Sequence, residues 1–155
     1  MEIKTLIVKP KLGFGNLNFG QSMSEAQAIY GTPEEQEEMD AAGEYPSTVW
    51  HYWSHGFSLF FDHAHQKSFT CAEIDNHSAL LWECKIFELK ENEIIALFRE
   101  KGFYNNDEEK HEWGEKRLSF DDAMIDFYFE NGKMTSINFG IQVEHNQDKV
   151  LILPN

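Results

Sequence analysis

Apolar and polar residues alternate along several segments of the chain, which is the pattern of a β-strand with one buried face. In residues 57–62 the odd-numbered positions are apolar and fall on one side, while Ser58 and Phe60 fall on the other. Residues 125–130 alternate in the same way, and Asn131-Gly132 after them is typical of a type I′ hairpin turn. We therefore predict antiparallel strands in both halves of the chain.

Helical signals precede the strands in each half. Ser22 and Glu25 have the spacing of a capping box, and Gly31 follows the last periodic residue as a stop signal. In the second half, residues 91–101 carry an apolar stripe that predicts a helix closed by Gly102. Each half therefore begins with one amphipathic helix.

Two acidic segments lie between these helices and the strands. Thr32 as a cap and Pro33 at the first helical position predict a second short helix, which runs to about Ala42. Residues 105–110 are predicted to form a solvated loop, because they are almost entirely polar.

The two halves also align with each other. Residues 24–30 match residues 92–98, and residues 57–62 match residues 125–130, so one constant offset in residue number serves both pairs. What matches is mainly the class of residue at each position. We therefore predict a tandem duplication.

These patterns predict an α+β fold. We expect a single domain over residues 1–155, with internal repeats at about 15–79 and 83–143. Each repeat would contribute a helix and antiparallel strands, and the two would form one layered domain with the helices on one sheet face.

Several short phrases carry a resemblance to a known fold. They are Phe19-Gly20-Gln21-Ser22-Met23-Ser24-Glu25, then Tyr30-Gly31-Thr32-Pro33, then Trp50-His51-Tyr52, then Phe127-Tyr128-Phe129-Glu130-Asn131-Gly132-Lys133. This layout resembles the tandem-repeat fold of the beta-lactamase inhibitor protein, which is also seen in outer-membrane assembly lipoproteins of the SmpA/OmlA type. The resemblance covers roughly residues 15–143 and implies the fold rather than a function.

The chain departs from that pattern in three respects. The second half reads Arg99-Glu100-Lys101-Gly102 where the first has its Gly-x-Pro phrase. Cys71 and Cys84 are not at equivalent positions, so the inhibitor's disulfides have no counterpart, and the lipoproteins' acylated cysteine is absent. Neither localisation nor binding residues are carried over from these families.

Composition narrows the function classes. The chain has 155 residues, 14% of them aromatic, and a formal net charge of −14. Such a surface repels phosphate backbones and anionic lipid, which argues against nucleic-acid and membrane binding and favours a basic protein partner. The two cysteines are expected to be reduced and buried, and no signal peptide or membrane span is indicated, so we expect a cytoplasmic protein.

Catalytic and metal signatures are weak. The chain contains no Gly-x-Ser-x-Gly phrase, and its carboxylate pairs lie in solvated charge runs, so we expect no enzyme activity, no catalytic residues and no cofactor. The histidines are the only candidates for metal ligands, and a solvated turn is the favoured interpretation of the His-Ala-His phrase. The candidates are His51, His55, His63 and His65.

The sheet face opposite the helices is the candidate binding surface, because it combines aromatic and charged residues as interface hot spots do. Its predicted protein-binding residues are Trp53, Phe60, Arg117, Asp126, Tyr128 and Glu130. An open alternative is that residues 150–153 or a second copy of the chain cover Trp53 and Phe60. The acidic segment 33–42 is a further candidate for contact with a basic protein.

We predict a non-enzymatic protein-binding module, with an inhibitor or immunity-type protein acting on a basic partner as its sharpest form. The first alternative is a small-ligand or metal-binding module, or an enzyme, that uses the histidine group between His51 and His65. The second is a self-associating structural domain. The oligomeric state expected for the binding module is a monomer or a weak homodimer.

Overall fold

The computed structural model describes residues 6–40, 46–146 and 149–153, with the backbone alone for 142–153. The described residues form two α-helices, α1 (Met23–Tyr30) and α2 (Glu91–Glu100). They also form short 3₁₀ turns, at Trp53–His55, His63–His65, Ile86–Glu88 and Asp121–Ala123.

Strands dominate the described part of the chain. In chain order they are β1 (Ile7–Lys9), β2 (Gly13–Phe14), β3 (Leu17–Asn18), β4 (Glu35–Met39), β5 (Ser47–Tyr52), β6 (Phe57–Asp62), β7 (Ser68–Ile74), β8 (Leu80–Leu81), β9 (Cys84–Lys85), β10 (Asp107–Lys110), β11 (Glu115–Phe120), β12 (Ile125–Glu130), β13 (Lys133–Gly140), β14 (Gln142–Asn146) and β15 (Lys149–Leu153).

The strands form one large antiparallel sheet, one small sheet and a separate hairpin. The order in the large sheet is β10-β11-β12-β13-β7-β6-β5-β4, and the order in the small sheet is β3-β2-β1-β8-β9. Strands β14 and β15 pair only with each other in the described structure. The large sheet joins two four-stranded halves, which meet where β7 pairs with β13.

Local signals place the helices as predicted. The Ser22 hydroxyl accepts a hydrogen bond from the Glu25 amide, and the Glu25 carboxylate accepts one from the Ser22 amide, both at 3.1 Å. This capping box begins α1, and Gly31 ends it with a φ of 80°. The predicted helix at 91–101 is confirmed as α2, and the predicted Asn131-Gly132 hairpin joins β12 to β13 with positive φ at both residues.

One face of the large sheet, named here the inner face, holds the apolar core. Phe98 of α2 stacks on Phe120 with ring centroids 4.1 Å apart and meets Phe127 edge-on. Tyr30 of α1 and Phe14 of the small sheet contact Phe57, at 5.2 and 5.0 Å between ring centroids. Both helices and the small sheet therefore cover the same face, and they leave the opposite, outer face uncovered.

The predicted α+β fold class is wrong, because the protein is β-rich rather than a balanced layering of helices and sheet. Its helices, α1 and α2, have only eight and ten residues in the described structure. The physical reason is that both acidic segments between helix and strand are themselves strands, at opposite edges of the large sheet.

The predicted helix over residues 33–42 is one of these errors. Residues Glu35–Met39 form edge strand β4, and the predicted end at Ala42 lies outside the described residues. Pairing with β5 gives the segment backbone hydrogen bonds, and side chains reinforce them: the Trp50 indole donates to Gln36 at 3.0 Å. Charged side chains on an edge strand also discourage aggregation through its free edge.

The predicted solvated loop at 105–110 is wrong for the same reason. Residues Asp107–Lys110 form the other edge strand, β10, which pairs with β11. All four residues of β10 are exposed, so composition alone made the segment resemble a loop.

Elements of the two halves have the same spacing. Strands β5 and β6 begin at positions 47 and 57, and strands β11 and β12 begin at positions 115 and 125, so both strands recur after one constant interval. Helices α1 and α2, which begin at positions 23 and 91, are separated by the same interval. Equal spacing does not test a common origin, so the repeats at 15–79 and 83–143 stay a prediction.

Candidate protein-interaction face

A continuous row of polar residues crosses the outer face of the large sheet. Residues paired directly across neighbouring strands share a face, so the register defines the row. Going from β4 to β10, its members are Glu35, His51, Ser58, Glu73, Asn138, Asp126, Ser119 and Asp107. A polar row therefore crosses the whole width of the outer face, between apolar residues such as Val49 and Phe60 on the same face.

The row has an approximate twofold arrangement. Its centre is the pair Glu73–Asn138, where β7 meets β13. The cross-strand pair His51–Ser58 lies on one side, and the pair Ser119–Asp126, at the equivalent positions of the second half, lies on the other. Equivalent positions thus carry side chains of different charge.

On the β4 side, a hydrogen-bonded chain links three strands. The His51 ring bonds to Ser58 Oγ through Nδ1 at 2.7 Å and to Glu37 Oε1 through Nε2 at 2.9 Å. The Trp53 ring stacks on His51 with centroids 4.1 Å apart, and its Nε1 donates to Glu35 at 3.0 Å. These contacts orient Trp53, of which 56% stays exposed.

The chain Glu37–His51–Ser58 has the residue types of an acid–base–nucleophile triad, but its surroundings favour a structural role. Ser58 lies within strand β6, which pairs on both sides, so its backbone amide belongs to the sheet. Glu73 lies beside Ser58 in the register, and its negative charge would oppose the oxyanion that acyl transfer develops. The arrangement therefore ties edge strand β4 to the sheet.

On the β10 side, Arg117 is surrounded by acids. Its Nη2 bonds to Glu109 at 3.0 Å and lies 3.5 Å from Asp107, and its Nη1 donates to Ser119 and lies 3.8 Å from Asp126. The hydrogen bond to Glu109 raises the pKa of Arg117, and the charges of Asp126 and Asp107 raise it further. Arg117 is thus a fixed cation that several carboxylates share.

At the centre of the face, the Cys71 thiol donates to Asn138 Oδ1 at 2.9 Å. Burial raises the pKa of Cys71 to about 12, and the charges of Glu73 and Asp126 contribute to the increase. Partial burial also raises the pKa of Tyr128, with a further contribution from Asp126. Both shifts arise in part from the same acidic surroundings.

A depression of about 390 Å³ lies beside this centre. Its lining combines carboxylates, an amide and apolar groups. The lining residues are Cys71, Asp121, Met124, Ile125, Asp126, Asn138, Phe139, Gly140 and Ile141. It is a concave part of the outer face.

The structure places all six predicted binding residues on or beside the outer face. Phe60, Arg117, Asp126 and Tyr128 are partly buried, whereas Trp53 and Glu130 are exposed. Arg117, Asp126 and Tyr128 lie together on β11 and β12, while Phe60 and Trp53 lie across β7 and β13 from them.

The alternative that the C-terminal segment covers Trp53 does not fit its exposure of 56%. The backbone of β15 approaches the 3₁₀ turn His63–His65, at the far end of β6. Whether residues 150–153 cover Phe60 depends on their side chains, which lie outside the described part of the structure.

Sequence reasoning missed the residues at the centre of the face. The alternation in 57–62 places Ser58 on the same side as Phe60, so Ser58 could have been assigned to the binding face from the sequence. Glu73, Cys71 and Asn138 depend on the pairing of β7 with β13, whose register no local pattern specifies.

The candidate metal ligands are spread over separate contacts. His51 bonds to Ser58 and Glu37, and His63 bonds to Thr48 and lies 3.4 Å from Glu38. His55 and His65 lie in different 3₁₀ turns. In the described residues, no group of three or more histidine, cysteine, aspartate or glutamate side chains could hold a metal ion.

The comparisons with known proteins are sparse. No protein-family model matches the chain, and no curated protein matches it. Among solved structures, it is similar to an extracellular protein containing an SCP domain from Bacillus anthracis, with 11% sequence identity and a TM-score of 0.48. The match covers 87% of this chain and 49% of that one, so this chain spans about half the length of that protein.

A likeness at this level carries no argument about function. The resemblance to the beta-lactamase inhibitor protein fold also stays a prediction. Within the described residues, no helix is long and apolar enough to cross a membrane.

Proposed function

We propose that the protein is a non-enzymatic binding module whose outer sheet face docks a basic protein partner. The observation that carries the proposal is the polar row, which crosses all eight strands of the large sheet and has Glu73 and Asp126 near its middle. An inhibitor or immunity-type protein that blocks a basic enzyme or toxin is the sharpest form of this function.

Charge supports the choice of a basic partner. The chain carries 27 acidic and 13 basic residues, for a net charge of −14. On the outer face, Arg117 is already shared among Asp107, Glu109 and Asp126. The face is therefore acidic overall, and it would accelerate association with a basic protein while repelling nucleic acid.

Aromatic side chains supply the apolar contacts that such docking needs. Trp53 is held by its stack on His51 and its hydrogen bond to Glu35, so little side-chain entropy remains to be lost on binding. Tyr128 and Phe60 are partly exposed on the same face. Rigid aromatic groups within a polar rim are typical of interface hot spots.

The test is affinity capture from extracts of the source cells, with the identified partner then measured against purified variants. Trp53→Ala is expected to weaken binding by about tenfold or more, as loss of a hot spot does. Trp113→Ala is the matched control, because Trp113 also stacks on a histidine, His111, and is 68% exposed, but it lies in the β10–β11 turn.

The proposal also predicts strong salt dependence, since binding to a basic partner relies on charge. Equal weakening by Trp53→Ala and Trp113→Ala would contradict the role of the outer face. A captured partner with an acidic surface and salt-independent affinity would contradict the proposed partner class.

A further inference from the structure

The depression beside Cys71 has the features of a pocket for one side chain. It lies on the outer face at the junction of the two halves, between β7, β13 and the Asp121–Ala123 turn. Met124 and Ile141 contribute apolar wall, and Asp121 and Asp126 contribute carboxylates. An apolar wall that leads to negative charge suits a side chain with an aliphatic stem and a cationic end.

The cations near the carboxylates of the depression lie outside its described lining. The described lining residues include no lysine or arginine. Arg117 bonds to Glu109 and lies 3.8 Å from Asp126 Oδ1, and the Lys11 ammonium group donates to the backbone carbonyl of Asp122, next to Asp121. Asp126 Oδ1 also accepts from Ser119 at 2.5 Å, and the described residues give Oδ2 no partner. As far as the described residues show, this carboxylate oxygen is therefore free for a ligand.

We infer that this depression binds an arginine side chain of the protein partner, with the guanidinium on Asp126 and the aliphatic stem against Met124 and Ile141. The inference rests on the proposed function and specifies which side chain of the partner the outer face would bind. Arginine is favoured over lysine because its planar fork can bond to a carboxylate with two donors and is more weakly hydrated than an ammonium group.

The test uses the full isotope-labelled chain and three small probes, followed by NMR. The probes are N-acetyl-arginine methylamide, its citrulline analogue and its lysine analogue. The arginine probe is expected to shift the amide signals of Asn138 and Gly140 more than those of edge strand β4. The citrulline probe keeps the shape but lacks the charge, and it is expected to bind about tenfold more weakly.

Two variants and a matched control locate the binding. Asp126→Asn is expected to weaken arginine binding about tenfold, whereas Glu130→Gln is expected to change it less than about twofold. Glu130 lies on the same strand and face but outside the lining. Because Asp126 also bonds to Ser119, the exposed Asp121→Asn provides a second variant, which is expected to weaken binding without that contact being lost.

Three results would overturn the inference: equal binding of the arginine and citrulline probes, tighter binding of the lysine probe, or equal weakening by Asp126→Asn and Glu130→Gln. Its failure is distinguishable from that of the proposed function. If a basic partner is lost with Trp53→Ala but not with Asp126→Asn, the docking face stands and the arginine anchor is wrong.

Discussion

Glu73 on β7 and Asn138 on β13 lie directly opposite each other, where the two four-stranded halves of the large sheet join. The Asn138 side chain accepts a hydrogen bond from the Cys71 thiol, and Glu73 adds negative charge to the surroundings of that thiol. This pair is the centre of the outer face, and the chemistry of Cys71 reports on it.

The two cysteines are expected to differ sharply in reactivity. Burial raises the pKa of Cys71 from 9.0 to about 12, which makes its thiolate about a thousandfold rarer at pH 8. Iodoacetamide at pH 8, followed by peptide mapping, should therefore modify Cys84 well before Cys71. Asp126→Asn should accelerate the reaction of Cys71, because it removes one of the charges that raise the pKa.

The control for that measurement is the denatured chain, in which both thiols should react at similar rates. Faster modification of Cys71 than of Cys84 in the native protein would contradict the described surroundings of the thiol.

His51→Ala is expected to lower the free energy of unfolding by about 1–3 kcal/mol, because it leaves the buried Ser58 hydroxyl without its partner. The measurement is urea denaturation followed by circular dichroism. His111→Ala is the matched control: His111 also pairs with a glutamate and stacks on a tryptophan, but at a turn. Its loss should change stability by only about 0.5 kcal/mol.

If both histidine variants lose the same stability, the hydrogen-bonded chain Glu37–His51–Ser58 does not tie β4 to the sheet as described.

Gly140→Ala is expected to destabilise the protein by about 2 kcal/mol or more through a steric clash. A Cβ at residue 140 would lie 2.5 Å from the Thr70 carbonyl oxygen and 3.2 Å from Cys71. Gly102→Ala separates this effect from backbone conformation, since Gly102 has a φ of +95° but nothing within 4 Å. That control should lose only about 1–2 kcal/mol.

Thermal unfolding of both glycine variants provides the comparison. A Gly140→Ala protein more stable than Gly102→Ala would show that β7 and β13 approach each other less closely than described.

Stability is expected to fall at alkaline pH because of two core tyrosines. Burial raises the pKa of Tyr52 to about 12, and it raises that of Tyr30 further. The folded state therefore keeps protons that the unfolded state loses above pH 10. The contribution of these two tyrosines to the free energy of unfolding should be constant below pH 10 and then fall by about 1.4 kcal/mol per pH unit for each tyrosine.

Ultraviolet absorbance and circular dichroism recorded over the same pH range provide the measurement. Tyr30 and Tyr52 should ionise only together with the loss of structure, because both are buried in the folded state. Ionisation of every tyrosine near pH 10 in a folded chain would contradict the burial of Tyr30 and Tyr52.

Local sequence determined the elements whose signals are short in range. The capping box at Ser22 and Glu25 and the stop at Gly31 define α1, and Asn131-Gly132 defines the β12–β13 hairpin. These succeed because each depends on the backbone preference or hydrogen bonds of residues within a few positions. The alternation of apolar residues likewise indicated which side of β6 and β12 faces the core.

Tertiary structure alone decided the rest. Residues 35–39 and 107–110 became strands because neighbouring strands supplied backbone partners at the sheet edges, against the helix and loop that their composition favoured. The outer face was likewise completed by the pairing of β7 with β13, which placed Glu73 against Asn138 although the two are far apart along the chain. Contacts between distant segments depend on register and packing, and no local pattern of residues specifies them.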